Sequence, residues 1–545
     1  MKGFAGTGKL IRLALRLDRI KLPLWIVGIV GTVAASASAL EDFYSTVEQQ
    51  ISYASTAAPS VVSRVMGGPI DGVSLGSIAM VELFYFTAIM VAFMSTLTVV
   101  RHTRKTEETG AAELIQSGSV GRYASLTAAM LVAAGANLVV FLLTTMLLSQ
   151  TEGLSGAGAA GFGLALALTG IAFAGIAAIG AQLSETGRGA NSIAAAAIGI
   201  SFIVRAIGDG LATVSPDKLS AEAHWASWLS PLGWGYQTKP FTAQNWWILI
   251  LLAAFMVLAI GISFLLLSRR DVGLGIIPAR TGRSAAKASL LTPLGGAWRL
   301  QRGVFIGWLI GFITFGVLIG SMAKEFANFF TDNEEALQAL EAFGGAGASM
   351  TDVFFSAMFS VLGILAAGYS LQALLKIRSE ETTGHLEHLL GTALSRSKWL
   401  LSHVFIVAIG ATALLLIGAL VAGSTYAVIA NVATSEIFRL IGASLVQLPA
   451  VLMFVGGVLL LFGLFPRIVT GVAWGFFAGT FLVLQLGALL NLPNWVTNIS
   501  PFSHLPSAPA QSVNLQPLII LIAIVLVFSA MGVYGFKSRD LTNDS

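Results

Sequence analysis

Two charged stretches interrupt an otherwise apolar chain, and their residue types suit the docking of a partner protein better than they suit catalysis. They cover 104–122 and 378–396, lie 274 residues apart, and are called here the first and second charged islands. A short helix with small and charged residues on one face fits a partner's groove, where the charges set the register. A solvated loop with internal salt bridges is the alternative. The shared residues that we expect to carry this contact are Arg104, Glu107, Gly110, Glu113 and Arg122, matched by Arg378, Glu381, Gly384, Glu387 and Arg396.

Nucleotide and metal chemistry receive little support from the remaining motifs. The stretch 3–9 reads GFAGTGK, but Leu10 stands where a phosphate-binding loop needs Ser or Thr for magnesium, and no strand precedes it. His385 and His388 have metal-ligand spacing, yet the first island has no histidine at the matching positions. The chain has no cysteine and no nucleophile elbow. We therefore predict no catalytic residue, no metal site, no cofactor in this chain and no enzymatic activity of its own.

A second group of residues suits a transport path or gate. Glu82 is the clearest ionisable group inside an apolar segment, and burying a carboxylate there is costly unless it has a role. A structural hydrogen bond, or a position near the outer headgroups, is the alternative. The external segment 209–246 is rich in tryptophan, which is typical of the membrane interface. From this segment and its repeat we add Trp234, Ser230, Pro231, Ser500 and Pro501 as candidates.

The elements that must position these residues are membrane-spanning helices. The chain is 56% hydrophobic and 11% charged, whereas soluble domains carry about a quarter charged residues. Apolar runs long enough to cross a bilayer recur from end to end, which predicts an all-α polytopic membrane protein. Twelve spans are predicted at 22–40, 78–100, 126–148, 158–183, 192–207, 247–267, 305–323, 353–375, 399–421, 441–465, 468–489 and 517–536.

Charge asymmetry orients these spans. With the N-terminus inside, 25 of the 31 Lys and Arg residues fall in cytoplasmic segments and 6 in external ones. Positive residues favour the cytoplasmic side, so both termini and both charged islands are expected there. No cleavable signal peptide is evident, and the first apolar run is expected to be retained. We expect a multi-pass protein of the bacterial plasma membrane.

An internal duplication organises the chain into two parallel six-span halves. Besides the islands, Trp25 matches Trp308, and an Arg-Asp pair follows the sixth span of each half, at Arg270 and at Arg539. The predicted domains are a first unit at 1–271, a cytoplasmic linker at 272–293 and a second unit at 294–545. A basic amphipathic helix at 9–21 is expected to lie in the membrane interface, the alternative being a simple basic flank.

At these residues the chain resembles the permeases of bacterial ABC exporters. The similarity is greatest to the actinobacterial family of polyketide-antibiotic exporters, the tetronasin type. The stretch 101–122, the WLSPLGW sequence at 228–234 and the Arg-Asp pairs carry the resemblance, which extends over nearly the whole chain.

The resemblance implies a fold and a partner. Such permeases have six-span units with an N-terminal elbow helix, the type V exporter arrangement, here at 9–21. Their coupling helices would lie at 101–124 and 376–398, with a second contact at 184–191 and 466–467. Two copies of a separate ATP-binding subunit, holding ATP and Mg²⁺, would power export of small amphipathic compounds, as in antibiotic or multidrug efflux. Because Glu108 in the first island becomes Thr382 in the second, the sequence leaves open whether the two docking sites are equivalent.

Two other functions stay open from the residues alone. An ion-coupled secondary transporter also fits twelve spans in two halves, but it needs buried ionisable relays, which are nearly missing. An intramembrane enzyme acting on lipid-linked substrates needs external catalytic acids, for which the acidic segment 324–343 is the available source. Neither reading calls for nucleic acid, and none is expected as a partner.

Overall fold

The computed structural model describes residues 2–271, 273–278, 285–331, 349–486 and 493–541. By its contacts the chain divides into two units, Met1–Gly282 and Arg283–Ser545, each described by itself. In the described residues the chain is helical apart from two short antiparallel strands, β1 Thr213–Val214 and β2 Ala221–Glu222. Short 3-10 turns lie at Lys2–Phe4, Trp225–Leu229, Ala288–Leu291 and Pro501–His504.

The first unit contains helices of very different length, since long spans alternate with short helices at the membrane surfaces. They are α1 Thr7–Leu17, α2 Lys21–Phe43, α3 Val47–Ala57, α4 Val61–Gly67, α5 Leu75–His102, α6 Arg104–Glu108, α7 Ala111–Gln116, α8 Ala124–Leu148, α9 Gly156–Leu183, α10 Gly187–Gly210, α11 Pro231–Gln237 and α12 Trp247–Ser268.

The second unit repeats this alternation. Its helices are α13 Pro293–Thr331, α14 Met350–Leu374, α15 Lys376–Thr382, α16 His385–Leu390, α17 Arg396–Ala430, α18 Ser435–Leu445, α19 Leu448–Leu464, α20 Val469–Leu486, α21 Asn494–Thr497 and α22 Leu515–Ser538.

Eleven helical segments among the described residues are long and apolar enough to span a membrane. They coincide with eleven of the twelve predicted spans, so the prediction of a polytopic helical membrane protein is confirmed. Helix α20, at the position of the eleventh predicted span, is apolar but shorter within its described part. The predicted external helix at 324–343 lies largely outside the described residues, which include α13 only to Thr331.

The two units begin differently. In the first, the predicted amphipathic helix is present as α1 and is separate from the first span, α2. Pro23 lies in the first turn of α2, where its ring excludes the carbonyl four residues earlier and so prevents one continuous helix. Ile306 occupies the matching position of the second unit, and α13 runs through it unbroken for 39 residues. A separate amphipathic helix is thus found at this position in the first unit only, among the residues described.

A proline also divides the predicted span at 441–465. Helix α18 ends at Leu445 and α19 begins at Leu448, with Pro449 in the first turn of α19. The side chain of Gln447 is buried at this break. The span is therefore two helices in series, for the same steric reason as the break before α2.

Small residues let the spans pack closely. Helix α9 lies at the centre of the first unit, packed on α5, α8 and α12. In the second unit, α19 crosses α22 where Gly463 faces Gly532, and a Cβ added to Gly463 would lie 2.1 Å from the Gly532 carbonyl oxygen. Only glycine permits such an approach, which is a frequent way for helices to associate in membranes.

Candidate functional site

Each charged island is a pair of short helices rather than one helix. Helices α6 and α7 form the first pair and α15 and α16 form the second. The bends occur at Gly110 (φ 73°) and Gly384 (φ 76°), whose left-handed backbone favours glycine. The expected single helical face is therefore wrong: residues before and after the glycine face in different directions.

Glu107 of the first island is held inside the first unit. Its carboxylate accepts from Arg104 at 2.5 Å and from both terminal nitrogens of Arg270 at 2.6 and 2.8 Å. Arg104 is fully buried and donates a further bond to the Gly273 carbonyl. Charged pairs with two parallel bonds are among the stronger polar contacts in proteins. This cluster fastens the island to the end of α12, the sixth span.

The second unit builds the same cluster. Glu381 is buried and accepts from Arg378 at 3.1 Å and from Arg539 at 2.5 and 3.0 Å. Arg539 follows α22, the last span, as Arg270 follows α12. Its guanidinium also lies 5.0 Å from the ring centre of Phe462. We call these two clusters the island clamps.

The closing arginine of each island serves the same purpose. Arg122 donates to the carbonyls of Leu267 and Arg270, at 2.9 and 2.6 Å. Arg396 donates to the Arg539 carbonyl at 2.6 Å, with longer bonds nearby. In both units, carbonyls at the C-terminal end of the sixth span, which lack partners within the helix, are satisfied by this side chain.

The repetition of these residues therefore has an intramolecular cause. Arg104, Glu107 and Arg122, with their counterparts Arg378, Glu381 and Arg396, bond within their own unit. Internal salt bridges, part of the alternative, are therefore present, and a docking role for these six residues stays a prediction. The second short helix of each island offers the exposed residues: Glu113 and Leu114 in the first island, and Glu387 and Leu389 in the second.

The two islands differ at one position that the sequence singled out. The Glu108 carboxylate accepts from the backbone N–H of Gly187 at 2.9 Å, at the first residue of α10. The island thereby contacts the loop at 184–191, the expected second cytoplasmic contact. Thr382, its counterpart, bonds only to carbonyls of its own helix among the described residues, at Arg378 and Ser379.

Sequence reasoning missed the residue that ties the N-terminal helix to the first island. Asp18 directly follows α1, is buried, and pairs with Arg101 and with His102 Nε2, the latter at 2.6 Å. Both partners end α5, immediately before the island. An acidic residue in the otherwise basic stretch 9–21 is the signal that could have revealed this contact.

Glu82 occupies a different environment from the one expected for a buried gate. It lies in the second turn of α5, and its side chain is exposed on the first unit. The Tyr53 hydroxyl donates a hydrogen bond to it. Burial raises the pKa of the Tyr53 phenol well above its usual value, and the Glu82 carboxylate raises it further. The geometry corresponds to the hydrogen-bonded alternative.

The transport-path candidates Ser230, Pro231 and Trp234 lie in and just before one short, largely buried helix of the first unit, α11. Ser230 and Pro231 begin α11 and are buried, with the Ser230 hydroxyl bonded to the Ser201 carbonyl at 2.7 Å. The half-buried Trp234 donates its indole N–H to the Trp228 carbonyl at 2.5 Å. These contacts are structural within the unit.

Their counterparts in the second unit border a cavity of about 600 Å³. Ser500 is buried and caps the turn at Pro501–His504, while Pro501 lines the cavity. The lining is mainly apolar, from Met453 on α19 to Ile524 on α22, with polar atoms from three side chains. These are Asn498, His504 and Gln516.

A buried ion pair in α10 was also missed as a cluster. Arg205 bonds to Asp209 at 3.3 Å, and neither side chain is exposed. Tyr85 and Ser227 donate to the same carboxylate, at 2.9 and 2.5 Å. The Arg205 guanidinium lies over the Tyr85 ring at 3.7 Å. Oppositely charged residues four apart in an apolar helix were the available signal.

Metal ligation finds no support in the described part of the chain, where no three His, Asp or Glu side chains converge. His385 lies near Glu380 at 3.7 Å, and His388 bonds to the Gly384 carbonyl. Both histidines thus interact within their own island.

Comparisons with known proteins extend over both units. Residues 290–537 match a family described as the C-terminal domain of the multidrug efflux system permease Rv1217c. Over 540 residues the chain is 35% identical to the multidrug efflux system permease protein Rv1217c of Mycobacterium tuberculosis. That similarity covers 99% of this chain and 96% of the relative.

Proposed function

Because the chain belongs to the multidrug efflux system permease family of Rv1217c, we propose that it is the membrane subunit of an ATP-driven ABC exporter. Its substrates would be amphipathic or lipophilic compounds, as in antibiotic or drug efflux. The ATPase activity would belong to a separate subunit, present in two copies, which holds ATP and Mg²⁺. The observation that carries the proposal is the pair of charged islands, each clamped to the end of a sixth span.

The island clamps would allow each island to transmit a displacement to the ends of the spans. Glu107 joins the first island to Arg270 behind α12, and the island itself continues directly from α5. A displacement of α7 by a bound partner would therefore move the ends of two spans together. Rigid elements joined by charge-assisted bonds transmit motion better than a flexible loop.

The partner would contact the exposed second helix of each island. Leu114 is 80% exposed and Leu389 39%, and each follows an exposed glutamate by one or two residues. An apolar side chain that enters a partner's pocket, with charges at its rim, is a common docking arrangement. Glu113 and Glu387 would set the register, while the clamp residues hold the helix in place.

The cavity of the second unit suits the proposed substrates. Its volume of about 600 Å³ lies within the range of drug-binding pockets, which is about 300–1,000 Å³. Mostly apolar walls with a few polar atoms match compounds that are themselves amphipathic. His504 and Asn498 already bond to one another through the Asn498 carbonyl at 2.9 Å, so the polar edge is preorganised.

We place the protein in the bacterial plasma membrane with both termini in the cytoplasm. The proposal rests on the charge asymmetry, 25 basic residues against 6. In that orientation both islands face the compartment that supplies ATP. The cavity beside the Ser500-Pro501 turn would then lie toward the external side, where an exported compound leaves.

One observation favours a second candidate, an ion-coupled transporter. Arg205 and Asp209 are buried charges within a span, which often mark ion pathways. Against this, the pair is neutral as a whole and both Asp209 oxygens accept hydrogen bonds. A carboxylate whose two oxygens both accept hydrogen bonds from the protein, as in Asp209, is better suited to a structural role than to proton exchange. For an intramembrane enzyme, the required acids lie almost wholly outside the described residues.

The test is transport in inside-out membrane vesicles that contain the chain with and without a candidate ATP-binding subunit from the same organism. The probe is ethidium, a fluorescent amphipathic cation. We expect ATP-dependent uptake only when both proteins are present, insensitive to collapse of the proton gradient. A chain that moves ethidium alone, and stops when the gradient is collapsed, would instead be an ion-coupled transporter.

A matched control separates loss of ATP hydrolysis from loss of the permease. Vesicles with an ATP-binding subunit whose catalytic glutamate is replaced by glutamine should hold the complex but show no uptake. Uptake that persists with this subunit would contradict ATP-driven export.

A further inference from the structure

A second cavity of about 390 Å³ lies in the first unit between the N-terminal helix and the first island. Its walls come from α1, from the starts of α2 and α8, from the end of α5 and from both short helices of the island. It is open on one side. The cavity is separate from the one beside Pro501, which belongs to the second unit.

The lining divides into two chemical halves. One half is apolar, with Leu10, Leu13 and Leu17 along one stripe of α1. The other half carries cationic and hydroxyl side chains, and none of the lining residues is acidic. The polar lining residues are Lys21, Arg101, His102, Lys105, Thr106, Thr109 and Ser125.

Two of the cations are available to a ligand. Asp18 already holds Arg101 and His102, so their charge is balanced inside the protein. Lys21 and Lys105 are exposed and make no ion pair among the residues that the structure describes. Glu107 and Glu108, the nearest acids in sequence to Lys105, bond to Arg270 and to the Gly187 N–H instead. The cavity therefore holds an excess of positive charge.

The residues around the cavity have the composition typical of the lipid headgroup region. Helix α1 has exposed leucines on one side and basic residues on the other, the composition of helices that lie in the interface. Beside it, Phe4, Tyr123 and Phe264 form an aromatic cluster with ring centres 5.4 to 6.4 Å apart. Aromatic residues gather at this level of membrane proteins.

The second unit lacks these features at the matching positions. Val304, Leu375 and Ser379 stand where the first unit has Lys21, Arg101 and Lys105. Lys376 stands where the first unit has His102, and it donates to the Leu300 carbonyl at 2.7 Å. The cationic lining is thus specific to the first unit and is not a consequence of the duplicated fold.

We propose that this cavity binds one anionic phospholipid, with its phosphate between Lys21 and Lys105 and an acyl chain along Leu10, Leu13 and Leu17. Basic pockets that open at the membrane surface are a known way to bind anionic headgroups. The lipid joins α1 to the first island from the membrane side, where Asp18 joins them from within. The first island then responds to lipid composition and the second does not.

The experiment is native mass spectrometry of the delipidated full-length chain, titrated with phosphatidylglycerol or with phosphatidylcholine. We expect one phosphatidylglycerol per chain to bind at least tenfold more tightly than phosphatidylcholine. The double variant K21Q/K105Q should weaken that binding about 30-fold, the effect of two lysines beside an anionic headgroup. Both side chains are exposed, and an unchanged melting temperature would show that the variant folds.

A double variant on the same helix is the matched control. R12Q/R16Q removes two exposed charges from α1 that do not line the cavity, and it should weaken binding less than threefold. Equal loss in both variants would mean a general surface effect and would overturn the site. Displacement of the lipid by inorganic phosphate at millimolar concentration would show a free-anion site instead. If K21Q/K105Q fails to fold, K105Q alone should weaken binding about fivefold, and no change would refute the proposal.

Discussion

Arg270 holds both carboxylate oxygens of Glu107, across 163 residues of sequence, at 2.8 and 2.6 Å. The bond joins the segment after the sixth span to the island after the second span. Arg539 and Glu381 repeat it in the second unit, at 2.5 and 3.0 Å. The residues that repeat in the two charged islands therefore connect separate elements within each unit.

The first prediction concerns the contribution of the Glu107 ion pairs to the stability of the folded chain. E107A leaves Arg104 and Arg270 without their shared carboxylate, and breaking a buried ion pair on one side costs about 3 kcal/mol. We expect a melting temperature several degrees lower in detergent. E113A, on the exposed part of the same island, should shift it by no more than a degree or so. Equal melting temperatures for wild type and E107A would contradict the clamp.

The second prediction separates docking from folding. The double variant E113K/E387K reverses two exposed charges on the second short helices of the islands and leaves Glu107, Glu381 and their arginines in place. It should retain at least tenfold less ATP-binding subunit on co-purification, while a cooperative melting transition shows that the variant folds. E48K/E222K, which reverses two exposed glutamates elsewhere in the chain, is the control and should retain it fully. Undiminished co-purification with E113K/E387K would place the docking surface elsewhere.

The third prediction tests the difference between the islands. E108A removes the acceptor for the Gly187 N–H and a negative charge at the start of α10, worth about 1 kcal/mol together. Hydrogen exchange in the peptide at 184–191 should become about fivefold faster. T382A changes the matching residue of the second island, and exchange at 466–467 should stay the same. Similar responses in both would mean that the islands are equivalent.

The fourth prediction concerns the cavity of the second unit. Ile520 lines it, whereas Ile519, its neighbour on α22, does not; the two are similarly exposed, at 52% and 64%. I520W fills part of the cavity and should lower ethidium transport at least tenfold without lowering co-purification of the ATP-binding subunit. I519W adds the same bulk on the outer face and should transport normally. Normal transport by I520W would remove the cavity from the substrate path.

The fifth prediction is a pH dependence. The pKa of Tyr53 is raised in the folded protein above its usual 10.0, by burial first and then by Glu82. A raised pKa means that the stabilisation is complete below pH 10 and is lost as pH rises toward the folded value. Y53F should therefore lower the melting temperature by a constant amount from pH 6 to 9, with the difference shrinking above pH 10. A difference that grows above pH 10 would contradict the bond.

Much of the fold followed from the sequence because membrane spans obey simple rules. Length and hydropathy locate most of the helices, and the repeated islands identify the candidate docking elements. The sequence pattern could not show which distant side chains pair. The repeated Arg-Asp pair places Arg270 after the sixth span, but nothing in its spacing pairs Arg270 with Glu107. Contacts between residues so far apart depend on helix packing, which periodicity does not encode.

The local breaks were equally hard to foresee. Gly110 and Gly384 divide the islands at residues with positive φ. A glycine at these positions is also compatible with a helix or a loop, so the sequence alone did not predict the bend. Pro23 and Pro449 could have been used to place two helix ends, since proline disfavours a continuing helix. Glu82 was expected to be costly to bury, but it lies near the end of its span, where its side chain is exposed.

The ion pair of α10 has a consequence for how the chain is made. An arginine and an aspartate cost free energy when a helix enters the lipid alone, whereas paired with each other and with Tyr85 they are tolerated. Tyr85 is synthesised first, so α5 is already present when α10 leaves the ribosome. Ser227 follows within about 20 residues and completes the carboxylate's bonds. The contact with Tyr85 therefore lowers the cost of the ion pair once α10 lies beside α5, a helix that is synthesised earlier.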